Sequence, residues 1–126
     1  QMKKLPQRLK RKKEIWKKYR DALTDVSQID FIETNLADTS PWFIDIFVDD
    51  PDSLAAYLKE RGIGSRRMYP AIHTQKIYQE SYRGTSFPIS EKAARRGLWL
   101  PSSSRLSDEE IILVVKSVES FYNSAK

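Results

Sequence analysis

Cysteine is absent from this chain of 126 residues, which excludes disulfide bonds and Cys-ligated zinc. Histidine occurs once, at His73, and one imidazole cannot build a multi-histidine metal centre, so no metal is expected. No apolar run reaches the ~18 residues that would suggest a membrane span. The basic N-terminus is not followed by the apolar stretch of a signal peptide, which makes a cytoplasmic location the default. Glycine is scarce, with four residues, and there is no glycine-rich phosphate loop. The nearest stretch, "RGIGSRR" at 61–67, lacks the lysine and hydroxyl that a P-loop needs. No Ser/His/Asp set is recognisable either. Taken alone, the chain does not read as a complete enzyme.

What is present suits a folded domain. Hydrophobic residues at 40% and aromatics at 11% are globular values, and one domain of this length buries roughly two-thirds of its unfolded surface. The net charge of +5 conceals an asymmetry. Residues 1–20 hold ten Lys or Arg and one Glu, whereas residues 21–126 hold twelve basic and sixteen acidic groups. Basicity belongs to one segment.

That segment has a helical period. Met2, Leu5, Leu9, Trp16, Tyr19 and Leu23, widened by Ile15, Ala22 and Val26, form one apolar stripe with Lys and Arg opposite. Pro6 requires either a start near Leu5 or a kink. Two readings of the basic face stand: a solvated helix surface, or a face for nucleic-acid or membrane contact, in the nucleic-acid case with the helix tracking phosphates. A stripe that runs to the first residues needs a surface to pack on beyond so small a domain. The start at Gln1, directly in helical sequence, suggests a piece of a longer protein.

Along the rest, "SPWFIDIFVDD" alternates Trp42, Ile44, Ile46 and Val48 against Phe43, Asp45 and Phe47, which predicts a central strand in which Asp45 needs partners. "QIDFIE" is a candidate neighbour. A helix follows, with Asp50 as N-cap, Pro51 at its first position and Gly62 at its left-handed end. "IGSRRMY" reads as strand or extended segment. "TSFPISEKAARRG" gives a short helix capped by Ser90 and ended by Gly97, and "LWLP" a buried strand. In "LSDEEIILVVKSVESFYNSAK", Ser107 and Glu110 make a capping box, and Ile111, Val114, Val115, Val118 and Phe121 form the buried face. The order predicts an α+β fold: a small, mostly antiparallel sheet with helices packed on one side.

The stretch "RRMYPAIHTQKIY", 66–78, concentrates the chemistry. Guanidinium groups bind phosphate or carboxylate, aromatic rings pack on planar ligands, and an imidazole bonds phosphate or hydroxyl oxygens. The mixture suits a polar, anionic, ring-containing ligand. An ordinary surface loop is the competing reading.

"ERGIGSRRMYPAIHTQKIY" and "FPISEKAARRGLWLPSSSRLSDEEIILVV" resemble the C-terminal part of the DegT/DnrJ/StrS nucleotide-sugar aminotransferases, closest to the perosamine-synthase-like branch. The resemblance implies the C-terminal small domain of an aspartate-aminotransferase-type (fold type I) enzyme over 1–126, with 1–26 the helix that leads from the large domain. It implies pyridoxal 5'-phosphate in the intact enzyme, with cofactor, Schiff-base lysine and catalytic residues all in the large domain. No lysine here matches the family's catalytic one; Lys76 lies outside its motif. It further implies a keto sugar carried on a nucleotide diphosphate as substrate, an amino donor such as glutamate, and a homodimer, with no membrane or nucleic acid as partner. Arg66, Tyr69 and His73 correspond to the small domain's substrate-binding residues. Arg67 stands where relatives often have proline or another residue.

Overall fold

Pro6 decides where the first helix begins. Proline has no N–H and fits only a helix's first turn. In the computed structural model, which describes residues 2–124, helix α1 accordingly runs Leu5–Leu23 behind a single 3-10 turn at Met2–Lys4. Its lower half carries the stripe into the core: Ile15, Tyr19 and Leu23, each four residues apart, have no exposed surface. The first two turns are less well covered. Leu5 and Leu9 remain 43% and 40% exposed and Met2 80%, so the apolar face continues past the body of the domain.

The remaining elements are β1 (Ile44–Phe47), α2 (Pro51–Glu60), β2 (Arg66–Arg67), a 3-10 turn at Ile72–Thr74, α3 (Lys76–Gln79), α4 (Pro88–Arg96), β3 (Gly97–Leu100) and α5 (Asp108–Ser124). Local chemistry sets most of the boundaries. The Asp50 carboxylate accepts from the Ser53 amide at 3.0 Å, and Gly62, at φ 74°, takes the left-handed conformation that a side chain disfavours. At α5, Ser107 Oγ accepts from Glu110 N at 3.1 Å while the Glu110 carboxylate accepts from Ser107 N at 2.8 Å. That is the expected capping box.

The strand order is β1-β3-β2, antiparallel throughout. Thus β1, expected at the centre, lies at an edge, and the centre is β3. The reason lies in the side chains: "GLWL" is buried at every position, as a strand flanked on both sides must be, whereas β1 carries Asp45. Beyond β1, among the described residues, only Asp30 pairs, bridging Phe47 through amide–carbonyl bonds of 3.0 and 2.9 Å, so "QIDFIE" contributes one bridge and no strand. Trp42, expected in the strand on the face of Ile44, Ile46 and Val48, precedes β1 and is 75% exposed. Nor does Ser90 cap α4. That helix starts at Pro88, and the Glu91 carboxylate takes the Phe87 amide at 2.9 Å instead.

Register separates the two faces of the sheet. Ile44 pairs with Leu100 and Ile46 with Leu98, and all four enter one core with Ile15 of α1, Leu54 of α2 and Val114 of α5. Helices α1, α2 and α5 therefore pack on one face. Between α4 and β3 there is no loop at all, because Gly97 opens the strand where Arg96 closes the helix. A Cβ at Gly97 would lie 2.7 Å from both Ala93 O and Met68 Cβ, so only glycine permits this junction.

Candidate functional site

The other face carries the chemistry. Asp45 pairs with Trp99, and Trp99 in turn pairs with Arg66, so the three side chains form one row across the sheet, since directly opposed residues share a face. The Trp99 indole donates Nε1–H to Asp45 Oδ1 at 2.5 Å. Phe43 stacks on that indole at 3.9 Å with 6° between planes, and Tyr69 meets it edge-on at 5.0 Å. The Arg66 guanidinium completes the group, 5.1 Å from the Tyr69 ring centre and 6.0 Å from that of Trp99, within cation–π range.

Arg66 and Arg67 are consecutive in an extended strand and so point to opposite faces. Arg67 falls opposite Leu98. Its guanidinium donates to Asp52 Oδ1 at 2.8 Å and to the carbonyls of Ala94 and Arg95 at 3.0 and 2.8 Å, tying α2 to the last turn of α4. Arg67 is thereby structural. Arg66 has no carboxylate partner among the described residues, and its guanidinium faces the rings of Tyr69 and Trp99.

Arg66 and Tyr69 line a groove of about 640 Å³ that continues along Pro70 and Thr74 to Glu91 and Arg95; Arg67 also borders it, with its guanidinium already committed to Asp52 and the two α4 carbonyls. His73 is not in its lining. It occupies an adjoining cavity of about 190 Å³ with Ile72, Tyr82, Phe87 and Ser90. There its ring lies 4.8 Å from that of Phe87, and its Nε2 is 2.9 Å from Glu91 Oε1. Glu91 borders the groove and bonds His73, linking the two. The structure thus brings two of the three sequence-predicted site residues into contact and sets the third behind Glu91.

Sequence reasoning missed Trp99, Phe43 and Glu91 as members of this group. Asp45 was legible as a carboxylate in need of a partner; the partner was not, because cross-strand register is invisible in one sequence. Glu91 did carry a signal, standing four residues after Phe87 at a helix start.

Burial holds the Asp45 carboxyl above its ordinary value of 3.8, against the opposing effect of the Trp99 hydrogen bond. The sign follows from linkage. An acid raised in the folded state contributes most below its unfolded value, and that contribution disappears as pH rises through the folded value. Asp45→Asn keeps an oxygen for Trp99 and carries no charge. The variant's urea midpoint relative to wild type should therefore improve between pH 3.5 and pH 7; a relative loss over that interval would contradict the assignment.

The groove has no lysine in its lining, and Lys76 lies outside it, exposed on α3. These residues do not fit a pyridoxal cofactor held as a Schiff base. Among the described residues no group of three or more His, Cys, Asp or Glu side chains could hold a metal ion, and no helix is long and apolar enough to cross a membrane.

A family model, that of the DegT/DnrJ/EryC1/StrS aminotransferase family, matches residues 1–119. The chain is 27% identical over 128 residues to the GDP-perosamine synthase of Vibrio cholerae, covering 98% of this chain and 35% of that protein. Its fold matches DesV of S. venezuelae at 24% identity with a TM-score of 0.85, over 95% of this chain and 33% of that one. It also matches Spr1654 of Streptococcus pneumoniae in its PLP form, at 18% identity and TM-score 0.84, over 99% and 34%. The chain spans about a third of the length of the curated relatives it matches.

Proposed function

The chain belongs to the DegT/DnrJ/EryC1/StrS aminotransferase family, and from that premise we propose that it is the small C-terminal domain of a pyridoxal-phosphate-dependent enzyme that aminates a keto sugar carried on a nucleotide diphosphate. Residues 1–126 form that domain, and 1–26 the helix that joins it to a large domain. Its role is to wall one side of the substrate cleft. Arg66 binds the diphosphate, while Tyr69 and His73 pack against and hydrogen-bond hydroxylated rings. The large domain holds the cofactor and its lysine; the donor is an amino acid such as glutamate. The working enzyme is a cytoplasmic homodimer.

One observation carries the reading: a guanidinium without a carboxylate partner among the described residues, beside an aromatic ring, at the mouth of an open groove. Guanidinium geometry matches phosphate oxygens in pairs. Exposure supports the missing neighbour. Tyr69, Ile72, Ile77, Tyr82, Phe87 and Ile89 are 39–87% exposed within twenty-one consecutive residues, more apolar surface than an isolated domain ordinarily leaves bare. The nucleic-acid reading gains no support, and four of the ten basic residues of 1–20 are committed to the domain itself. Arg11 bonds Leu106 O and Asp108, Lys12 the carbonyls of Trp42 and Ser102, Lys18 pairs with Asp108, and Arg20 with Glu33.

Two measurements on the chain test the division of labour. Titration with a guanosine diphosphate sugar should perturb the backbone resonances of 66–74. Treatment with pyridoxal phosphate and borohydride should fix no stoichiometric pyridoxyl group on any single lysine. A silent titration, or one lysine fully labelled, overturns the reading.

A further inference from the structure

His73 is held by one side chain. Among the described residues its ring makes a single hydrogen bond, from Nε2 to Glu91 Oε1 at 2.9 Å, and the side chain is 11% exposed. The same Oε1 accepts the Phe87 amide at 2.9 Å, and Ser86 Oγ stands 3.4 Å from each carboxylate oxygen. Glu91 therefore has a fixed post at the start of α4. Swinging away from His73 would also give up the bond to the Phe87 amide.

The proton on this bond follows from the acceptor. The Phe87 amide, with smaller help from His73 and Ser86, holds the Glu91 carboxyl below its ordinary value, and an ionised carboxylate can only accept. The shared proton then resides on Nε2. In the neutral ring the second nitrogen must be an acceptor, since an imidazole fixes one tautomer when its other nitrogen is engaged.

We infer that Glu91 is a positioning residue: by accepting the Nε2–H of His73 it locks the neutral ring in one orientation and one tautomer, leaving Nδ1 as a lone-pair acceptor for a hydroxyl of the bound ligand. This rests on the proposed substrate cleft and deepens it. The division between subsites becomes a chemical one. Arg66, which can only donate, takes phosphate oxygens, and the neutral ring of His73 takes a hydroxyl that donates to Nδ1. A sugar nucleotide offers both in one molecule.

One histidine makes the test free of assignment ambiguity. Long-range nitrogen–proton correlation spectra at mildly alkaline pH should show a single ring with Nε2 protonated, Nδ1 unprotonated and a slowly exchanging ring proton. In Glu91→Ala that proton should exchange at least tenfold faster, with both tautomers sampled. Glu91→Gln, whose amide oxygen can still accept from Nε2 and from Phe87, should restore the wild-type pattern, which loss of general stability would not predict. A wild-type ring protonated on Nδ1 overturns the inference with no variant needed. So does a Glu91→Ala ring with unchanged exchange. Adding a guanosine diphosphate sugar separates the two proposals: a shift at Nδ1 supports the hydroxyl contact. A ring in the expected state whose Nδ1 does not move refutes that contact and leaves only the tautomer lock, while a titration silent throughout 66–74 removes the cleft reading itself.

Discussion

Leu98→Ala is expected to lower the unfolding free energy by about 2–5 kcal/mol, toward the upper part of that range. The span reflects how far a site can collapse around the atoms removed. Leu98 has no exposed surface, sits in the central strand, and is paired on one side with Ile46 and on the other with Arg67. Neither neighbour can move inward without breaking ladder bonds, and beneath it stand α1, α2 and α5. A cavity there stays open. Urea unfolding followed by tryptophan fluorescence should show a lower midpoint with an unchanged slope, because the surface exposed on unfolding is nearly the same. A loss under about 1 kcal/mol would mean that the core repacks freely, contrary to the density of folded interiors. The consequence reaches the candidate site. Trp99 is the next residue in the chain, so whatever loosens β3 also loosens the row of Asp45, Trp99 and Arg66.

Local signals in the sequence were sufficient where one segment determines its own geometry. Asp50, Pro51 and Gly62 bound α2 through a cap, a restricted φ and a positive φ, each a property of one or two residues. The Ser107–Glu110 box and the apolar face of α5 are of the same kind. Errors arose wherever the answer depended on a distant segment. The alternation of "WFIDIF" marks a strand with two apolar faces, yet that pattern fits an edge strand equally well when Phe43 is covered by a tryptophan from β3. Placing β3 at the centre required knowing that a four-residue strand is paired on both sides, and its shortness hid this. The miss at Ser90 was local instead: it has the chemistry of a cap, but Pro88 already fixes the helix start two residues earlier, and the carboxylate of Glu91 reaches back to the amide that needs a partner. The cluster 66–78 was visible as chemistry. Its internal division was not, because the separation of Arg66 from Arg67 is set by the pleat of a two-residue strand whose existence depends on β3.

That division supplies the second large effect. Arg66→Ala should weaken binding of a guanosine diphosphate sugar by roughly 10–100-fold, the consequence of losing charge-assisted hydrogen bonds worth about 1.5–3 kcal/mol. Stability should change little, because its guanidinium contacts rings rather than any carboxylate among the described residues and exposed contacts of that type contribute about 0.5–1 kcal/mol. Arg66→Lys retains the charge and loses the paired geometry, so its affinity should fall between wild type and alanine. Arg67→Ala should do the reverse. It removes bonds to Asp52, Ala94 and Arg95, leaves two helix carbonyls without donors, and should lower the unfolding midpoint while the folded fraction binds as wild type does. Titrations at two salt concentrations refine the comparison, since a phosphate contact weakens with ionic strength and the wild type should lose more affinity than Arg66→Ala. If Arg67→Ala weakened binding as much as Arg66→Ala, the two faces of the sheet would not be chemically distinct, and the groove would have to be rebuilt around the helical side.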